Sequence, residues 1–301
     1  MQRKPFLQRL KHPSKMVAGV IVRLYRLFPN DKIYLKLIYR LYMGRKLDLK
    51  NPKTFSEKIQ WLKLYDRRPE YTIMVDKYTV KQYVAERIGE EYIIPTIGVW
   101  ESPEKIDWDS LPDKFVLKVT HGGGGGGIII CKDKKRLNKA RAINMLKKAM
   151  KVNIYGKYRE WPYKNVPRRI IAEQLLEEKN EHGLMDYKIF CFHGIPKIIK
   201  VNYDTKTDYH SNWYDLDWKY LGSTTENDPT DADVQIPCPI GYDKMILLAE
   251  KLSKGMPFVR VDFYNVWGMI KFGEMTFFPG SGFEKFVPES FDYDLGKMIK
   301  L

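Results

Sequence analysis

The chain has 301 residues, enough to bury a substantial core and to form two packed lobes. Its 44% hydrophobic and 14% aromatic content excludes a disordered chain, and no apolar stretch approaches the ~20 residues that span a bilayer. Lys and Arg outnumber Asp and Glu by 52 to 37, but residues 1–50 hold 13 basic and 2 acidic side chains, leaving only +4 for the other 251. That near-neutral body, with no recognised binding module, argues against a nucleic-acid partner.

Residues 1–50 read as a basic helical arm. Val17, Val20, Ile21, Leu24, Leu27 and Phe28 recur at three- and four-residue steps, and after Pro29-Asn30-Asp31 a second helix runs over 33–43. Basic residues among aliphatic and aromatic ones suit an anionic membrane surface or a helical cap on the body, and the two are compatible. Arg3 and Lys4 are not followed by a cleavable signal, so the chain is expected in the cytoplasm, with peripheral contact at the inner membrane face through residues 1–50. Cys131, Cys191 and Cys238 are far apart and odd in number; they suggest buried small hydrophobes, not a disulfide framework or a metal cluster.

The body spans 51–301. Thr54 and Glu57 mark a capped helix start, and a helix over 75–88 begins after Asp76 and closes at Gly89. A strand at 115–119, the glycines 122–127 and a strand at 128–131 make a hairpin with a glycine tip. A helix follows over 138–152, then a strand over 169–176, then a hairpin from 187–192 and 197–201. Residues 203–235 are polar and loop-like, 242–252 form a helix, and 258–264 with 269–277 make a last hairpin. Hairpins separated by helices predict an α+β body rather than a doubly wound sheet.

Three constellations carry chemistry. Six consecutive glycines, Gly122, Gly123, Gly124, Gly125, Gly126 and Gly127, let backbone N–H groups approach a ligand, and Lys118 before them adds a charge suited to phosphate. A strand follows instead of Lys-Ser/Thr and a helix, so this is no P-loop; a merely flexible hairpin tip stays open. Asp262 and Glu274 lie on strands joined by a short turn, with Arg260 on the face of Asp262. Two carboxylates on adjacent strands suit Mg²⁺, and two acids against one arginine leave surplus negative charge that favours a cation. A metal-free Arg260 ion pair stays open. Glu173-Gln174-Leu175-Leu176 ends a strand and offers backbone groups to an adenine. His121 and His193 flank the site and invite a general-base role, against the blander reading of satisfied neighbours.

The order of lysine strand, glycine hairpin, Glu-x-Leu hinge, Arg-x-Asp and Glu-x-Thr resembles the ATP-grasp superfamily. Within it the chain resembles the TupA-like branch, associated with teichuronopeptide and other surface-polysaccharide synthesis. The segments NPKTFSEKIQWLKLYDRRP, VDKYTVKQYVAERIG, YIIPTIGVW, LPDKFVLKVTHG, RRIIAEQLL, DYKIFCFHGIPKIIKV, FVRVDFYNVWG and FGEMTFFPGSG carry the likeness, outside the basic arm. The resemblance implies an ATP-grasp fold whose two α+β lobes clasp the nucleotide, a lid lobe over about 115–172 and a metal-binding lobe over about 173–301. It implies that Lys81 and Lys118 hold the ATP phosphates beneath the glycine lid. Glu173, Gln174 and Leu176 would meet adenine, Asp186 the ribose, and Asp262 and Glu274 the Mg²⁺, while Arg260 would stabilise an acyl phosphate. Lys188 and Lys200 are further phosphate or carboxylate candidates. Thr276 stands where many such enzymes have Asn, and its hydroxyl is able to ligate Mg²⁺ or bind phosphate.

The activity so implied is an ATP-dependent carboxylate–amine ligation through an acyl phosphate. The carboxylate would belong to an anionic surface polysaccharide or its precursor, and the amine to an amino acid. Alternatives are a glycan kinase and a glycosyltransferase, the latter prompted by Asp215-Leu216-Asp217.

Overall fold

The computed structural model describes residues 13–122, 126–178, 182–203, 209–226 and 228–301. The three central glycines Gly123, Gly124 and Gly125 therefore lie outside the described residues, as do Arg3, Lys4, Asp204 and Asp208. Chain order is α1 (Pro13–Arg23), α2 (Asp31–Met43), α3 (Phe55–Tyr65), α4 (Glu70–Val75), α5 (Val80–Ile88), β1 (Thr96–Trp100), β2 (Phe115–Val119) and β3 (Ile128–Cys131). Then come α6 (Lys139–Met150), α7 (Ile154–Tyr158), β4 (Ile170–Gln174), β5 (Asp186–Phe192), β6 (Ile195–Tyr203), β7 (His210–Tyr214) and β8 (Thr224–Thr225). The chain closes with α8 (Tyr242–Ser253), β9 (Phe258–Val266), β10 (Met269–Thr276), β11 (Phe286–Val287) and α9 (Ser290–Lys297).

The α+β expectation holds. A four-stranded sheet, β1-β4-β2-β3, and a five-stranded sheet, β10-β9-β5-β6-β7, are antiparallel throughout. Each has its own core. In the first, Ala142, Leu146 and Ala149 of α6 close over Phe115, Leu117 and Val119. In the second, Leu248, Ala249 and Leu252 of α8 join Ile189, Val259 and Val261 on one face. The other face of the second sheet is divided. At one end Phe190 and Phe258 pack against Phe55 of α3, with the Phe55 and Phe258 rings 4.9 Å apart. The opposite end is polar and forms the floor of a cleft.

Several boundaries differ from the sequence reading. The short extended segment that the sequence starts at Ile93-Ile94-Pro95-Thr96 continues as β1 in the first sheet, and the strand expected over 169–176 ends at Gln174. The helix expected over 75–88 is α5, which starts only at Val80 and closes at Gly89 as expected; residues 76–79 separate it from α4, which ends at Val75. Asp76 turns the chain there by accepting from the Tyr78 N–H at 2.9 Å and pairing with Arg169 at 2.5 Å. The polar 203–235 segment contains β7, which adds a fifth strand to the second sheet. Cys238 is exposed, unlike the buried Cys131 and Cys191.

The helices of 13–50 are docked as a cap. Tyr34, Leu35, Ile38 and Tyr39 are fully buried against Trp61, Leu64, Tyr158 and Phe283. Asp31 is held by Arg67 at 2.7 Å and Arg159 at 2.8 Å. Thr54 caps α3 as expected, with the Glu57 N–H donating to Thr54 Oγ1 at 3.2 Å and the Thr54 N–H to Glu57 Oε2 at 3.1 Å.

One buried cation ties α3 to the loop after β10. Lys63 is fully buried and donates to Gln60 Oε1 at 3.0 Å and to the carbonyls of Tyr158 at 3.0 Å and Ser281 at 2.7 Å. Its ammonium also sits 4.7 Å from the Phe283 ring centre. Burial pulls this ammonium down to about 7, with Glu160 opposing. The anchored loop holds Gly280, Ser281 and Gly282 at φ of 52°, 55° and 64°, a left-handed stretch that an anchor keeps in place. Lys63→Met strands those carbonyls, and a loss of about 2–4 kcal/mol is expected in urea unfolding. An unchanged midpoint would show that the anchor does not hold the loop.

Candidate active site

Antiparallel register assembles the site from segments far apart in the chain. Lys188 on β5 lies opposite Asp262 on β9, and Asp262 lies opposite Glu274 on β10. Side chains alternate along a strand, so Arg260, Asp262, Asp186 and Lys188 share the polar face with Glu274 and Thr276. Asp262 is 2% exposed and fully engaged: Arg260 donates to Oδ1 at 2.7 Å and Oδ2 at 2.6 Å, and Lys188 to Oδ2 at 2.6 Å. Lys188 also pairs with Asp186.

Lys77, which the sequence reading passed over as part of a helix, completes this cluster. Its N–H donates to the Thr120 carbonyl at 3.1 Å, joining it to the end of β2, and its ammonium meets Glu274 Oε2 at 2.6 Å. Glu274 is 36% exposed, opening to the cleft. The predicted surplus of negative charge is thereby corrected. Asp186, Asp262 and Glu274 face Lys77, Lys188 and Arg260, three against three.

Above this floor lies the four-stranded sheet. The cleft between the sheets has a volume of about 710 Å³, and Lys77, Lys118, Asp186, Asp262 and Glu274 all line it. Gly122, Gly126 and Gly127 also line it. A Cβ on Gly122 would stand 2.4 Å from Val119 Cγ2, and one on Gly127 would stand 2.7 Å from Ala149 Cβ. Packing of β3's start onto α6 thus requires glycine at 127, and the Val119 side chain crowds position 122. Gln174, Leu175 and Leu176 border the cleft where β4 leaves the sheet.

Other expected site residues stand differently. Glu173 is buried in β4 and turns its carboxylate to Lys81 at 2.6 Å and Lys118 at 2.7 Å; the cleft lining begins one residue later. Lys81 does not line the main cleft. It is held by Glu173, the Ile94 carbonyl at 2.6 Å and Thr96 Oγ1 at 2.8 Å. Thr276 accepts from Arg260 at 3.1 Å and donates to Glu274 at 3.3 Å. Lys200 pairs with Asp228 and lies 5.4 Å from the Trp213 ring centre, outside the cleft lining. Neither histidine lines the cleft: His121 is buried, and His193 accepts from the Lys300 N–H at 2.8 Å. Asp215 makes a turn by accepting the N–H groups of Asp217 and Lys219 at 3.0 and 2.8 Å.

The electrostatics follow from this enclosure. Burial works to raise the Glu274 carboxyl, but Lys77, Arg260 and Lys188 together hold it well below the ordinary glutamate range. Glu173 is likewise lowered, because Lys118 and Lys81 outweigh its burial. Asp186 is raised, chiefly by burial and also by Asp262, with Lys188 opposing. Burial works to lower Lys188, and Asp186 and Asp262 more than reverse it.

Among the described residues no three His, Cys, Asp or Glu side chains cluster as a self-sufficient metal site. Two facing carboxylates, one of them opening to the cleft, do fit a hard cation that arrives with phosphate oxygens as its remaining ligands. Such a cation on Glu274 would displace Lys77, a cleft-lining lysine whose flexible stem can turn to phosphate, while Lys188 lies buried behind Asp262.

Two antiparallel sheets facing each other across a charged cleft define the ATP-grasp class of architecture. A family profile described as TupA-like ATPgrasp matches residues 57–300. The chain belongs to the TupA-like ATP-grasp family. Among solved structures it is similar to the D-alanine–D-alanine ligase from Bacillus anthracis, at 16% identity and a TM-score of 0.40 over 68% of this chain and 57% of that one. It is also similar to the D-alanine–D-alanine ligase from Helicobacter pylori, at 12% identity and a TM-score of 0.43 over 83% and 70%. A third similar structure is the ADP complex of PurK, N5-carboxyaminoimidazole ribonucleotide synthetase, at 13% and 0.43 over 73% and 50%. The chain thus spans just over half the length of the first of these. No curated protein matches it.

The Glu173 clamp has a pH signature. A carboxyl lowered on folding stabilises the folded state above the unfolded pKa, and that contribution is lost as pH falls through the folded one. Urea unfolding of wild type should therefore steepen in its loss of stability below the ordinary glutamate range. Glu173→Gln should flatten that acid limb and cost about 2 kcal/mol at neutral pH. Identical acid limbs would remove the clamp.

Proposed function

We propose that this protein is an ATP-dependent carboxylate–amine ligase acting on an anionic surface polysaccharide or its precursor. The single observation that carries the reading is the shared cleft: Lys118 from β2, Lys77 from the α4–α5 junction, and Asp262 and Glu274 from the last hairpin all line one cavity. That volume suits a nucleotide and the end of a second substrate.

In this reading the adenine lies against Gln174, Leu175 and Leu176, and the ribose hydroxyls meet Asp186. Lys118, Lys77 and the backbone of Gly122, Gly126 and Gly127 hold the phosphates. Asp262 and Glu274, with Thr276 beside them, would hold Mg²⁺, which would supply neutralisation of phosphate charge. A substrate carboxylate oxygen attacks the γ-phosphorus, the bond to the β-phosphate oxygen breaks, and ADP leaves with an acyl phosphate formed. The amine then attacks the acyl carbon, loses a proton, and expels inorganic phosphate to leave an amide. Arg260, fixed by two bonds to Asp262, places positive charge where the acyl oxygen becomes anionic. Catalysis rests on positioning and electrostatics.

The polysaccharide setting is supported by the family likeness. A glycan kinase would share the nucleotide site and is distinguished by its product. Isothermal titration with MgATP and with a magnesium nucleotide-sugar tests the nucleotide assignment. Wild type should prefer MgATP, and Asp262→Ala should weaken it at least about tenfold with its fold retained by circular dichroism. Preference for the nucleotide-sugar would overturn the ligase reading. With uronate oligosaccharides and amino acids, mass spectrometry should show an amide, and a phosphorylated sugar would make the protein a kinase.

A further inference from the structure

Helix α1 carries two apolar faces, and only one of them is used. At about 100° per residue, Ala18 and Val22 point to one side, where both are buried and Val22 joins the α2 cluster. Met16, Val17, Val20 and Leu24 fall within an arc of about 100° on the other side, and Leu27 continues the row in the turn that follows. These five are 43%, 50%, 54%, 48% and 70% exposed. Scattered apolar residues on a surface are ordinary, but a continuous row of five along one short helix and the turn that follows it marks an interaction face.

The charge around the row selects its partner. Arg3, Lys4, Arg9, Lys11, Lys15, Arg23 and Arg26 precede the first acid of the chain, Asp31. Asp31 is itself consumed by Arg67 and Arg159 beneath the cap. Arg23 borders the apolar arc, and among the described residues neither it nor Arg26 has an ion-pair partner. An apolar row edged by unpaired arginines, with a basic segment leading into it, complements anionic headgroups over acyl chains. At 11 residues α1 lies far short of a spanning helix, and no helix among the described residues is long and apolar enough to cross a membrane. It fits the interface plane.

We infer that α1 docks this protein on an anionic lipid leaflet, with Met16, Val17, Val20, Leu24 and Leu27 inserted and Arg23 and Arg26 at the headgroups. The inference stands independently of the ligase reading. It predicts an orientation: the Ala18 and Val22 side of α1 keeps the body attached while the other side meets lipid.

The test uses the full chain and sedimentation with vesicles of phosphatidylcholine alone or mixed with phosphatidylglycerol. Wild type should sediment with the mixed vesicles, weakly with the neutral ones, and less as salt rises. Val20→Asp combined with Leu24→Asp, both at exposed positions, should lower the bound fraction at least about tenfold with melting temperature and MgATP titration unchanged. Arg23→Gln with Arg26→Gln should lower it several-fold (roughly, from the gain per basic residue) and reduce the salt dependence. Equal sedimentation of wild type and the double aspartate variant would overturn the inference. So would the absence of vesicle binding, whether wild type is monomeric or forms a dimer that the aspartates dissolve in sedimentation velocity; the latter assigns the row to a second copy.

Discussion

The antiparallel register of β5, β9 and β10 is the constraint on which the site depends. Placing Lys188 opposite Asp262 and Asp262 opposite Glu274 puts three charged side chains in one row across a sheet whose reverse face is apolar core. A slip of one residue would turn that row into the core and expose Ile189 and Val261 to the cleft. Burial of Asp262 is tolerable only because Arg260 and Lys188 meet both its oxygens. The register therefore fixes fold and chemistry together.

The charge balance gives the cleft its working state. Three carboxylates and three cations face each other on the floor, while above them the single carboxylate of Glu173 bridges Lys81 and Lys118 and leaves one positive charge in excess. Every cation a triphosphate would need is held at hand by a carboxylate. Binding a polyanion with its cation would then be an exchange of partners, in which lysines pass from carboxylate to phosphate and carboxylates from lysine to metal.

Local chemistry was legible in the sequence wherever a single segment carried it. The β2–β3 hairpin, the Thr54–Glu57 capping box and the Asp262–Glu274 hairpin follow from alternation, capping residues and turn residues alone. Long-range partners were not. Nothing near Glu173 shows that its carboxylate is clamped between a helix lysine and a strand lysine, and nothing near Asp262 points to Lys188, 74 residues away. Lys77 was hidden because Val75 and Val80 continue a helical spacing across a break that Asp76 makes through Arg169, a partner from β4's approach. The basic N-terminal segment showed its amphipathicity but not its second contact face, since Tyr34 and Ile38 find Tyr158 and Phe283 only in the fold.

A structure of the full chain with magnesium and a non-hydrolysable ATP analogue tests the central claim most directly. The triphosphate should lie between the β2–β3 hairpin and the β9–β10 hairpin, with Lys118 drawn off Glu173, Lys77 drawn off Glu274, and the cation on Asp262 and Glu274. A nucleotide bound outside this cleft, or one that leaves those ion pairs intact, would contradict the account.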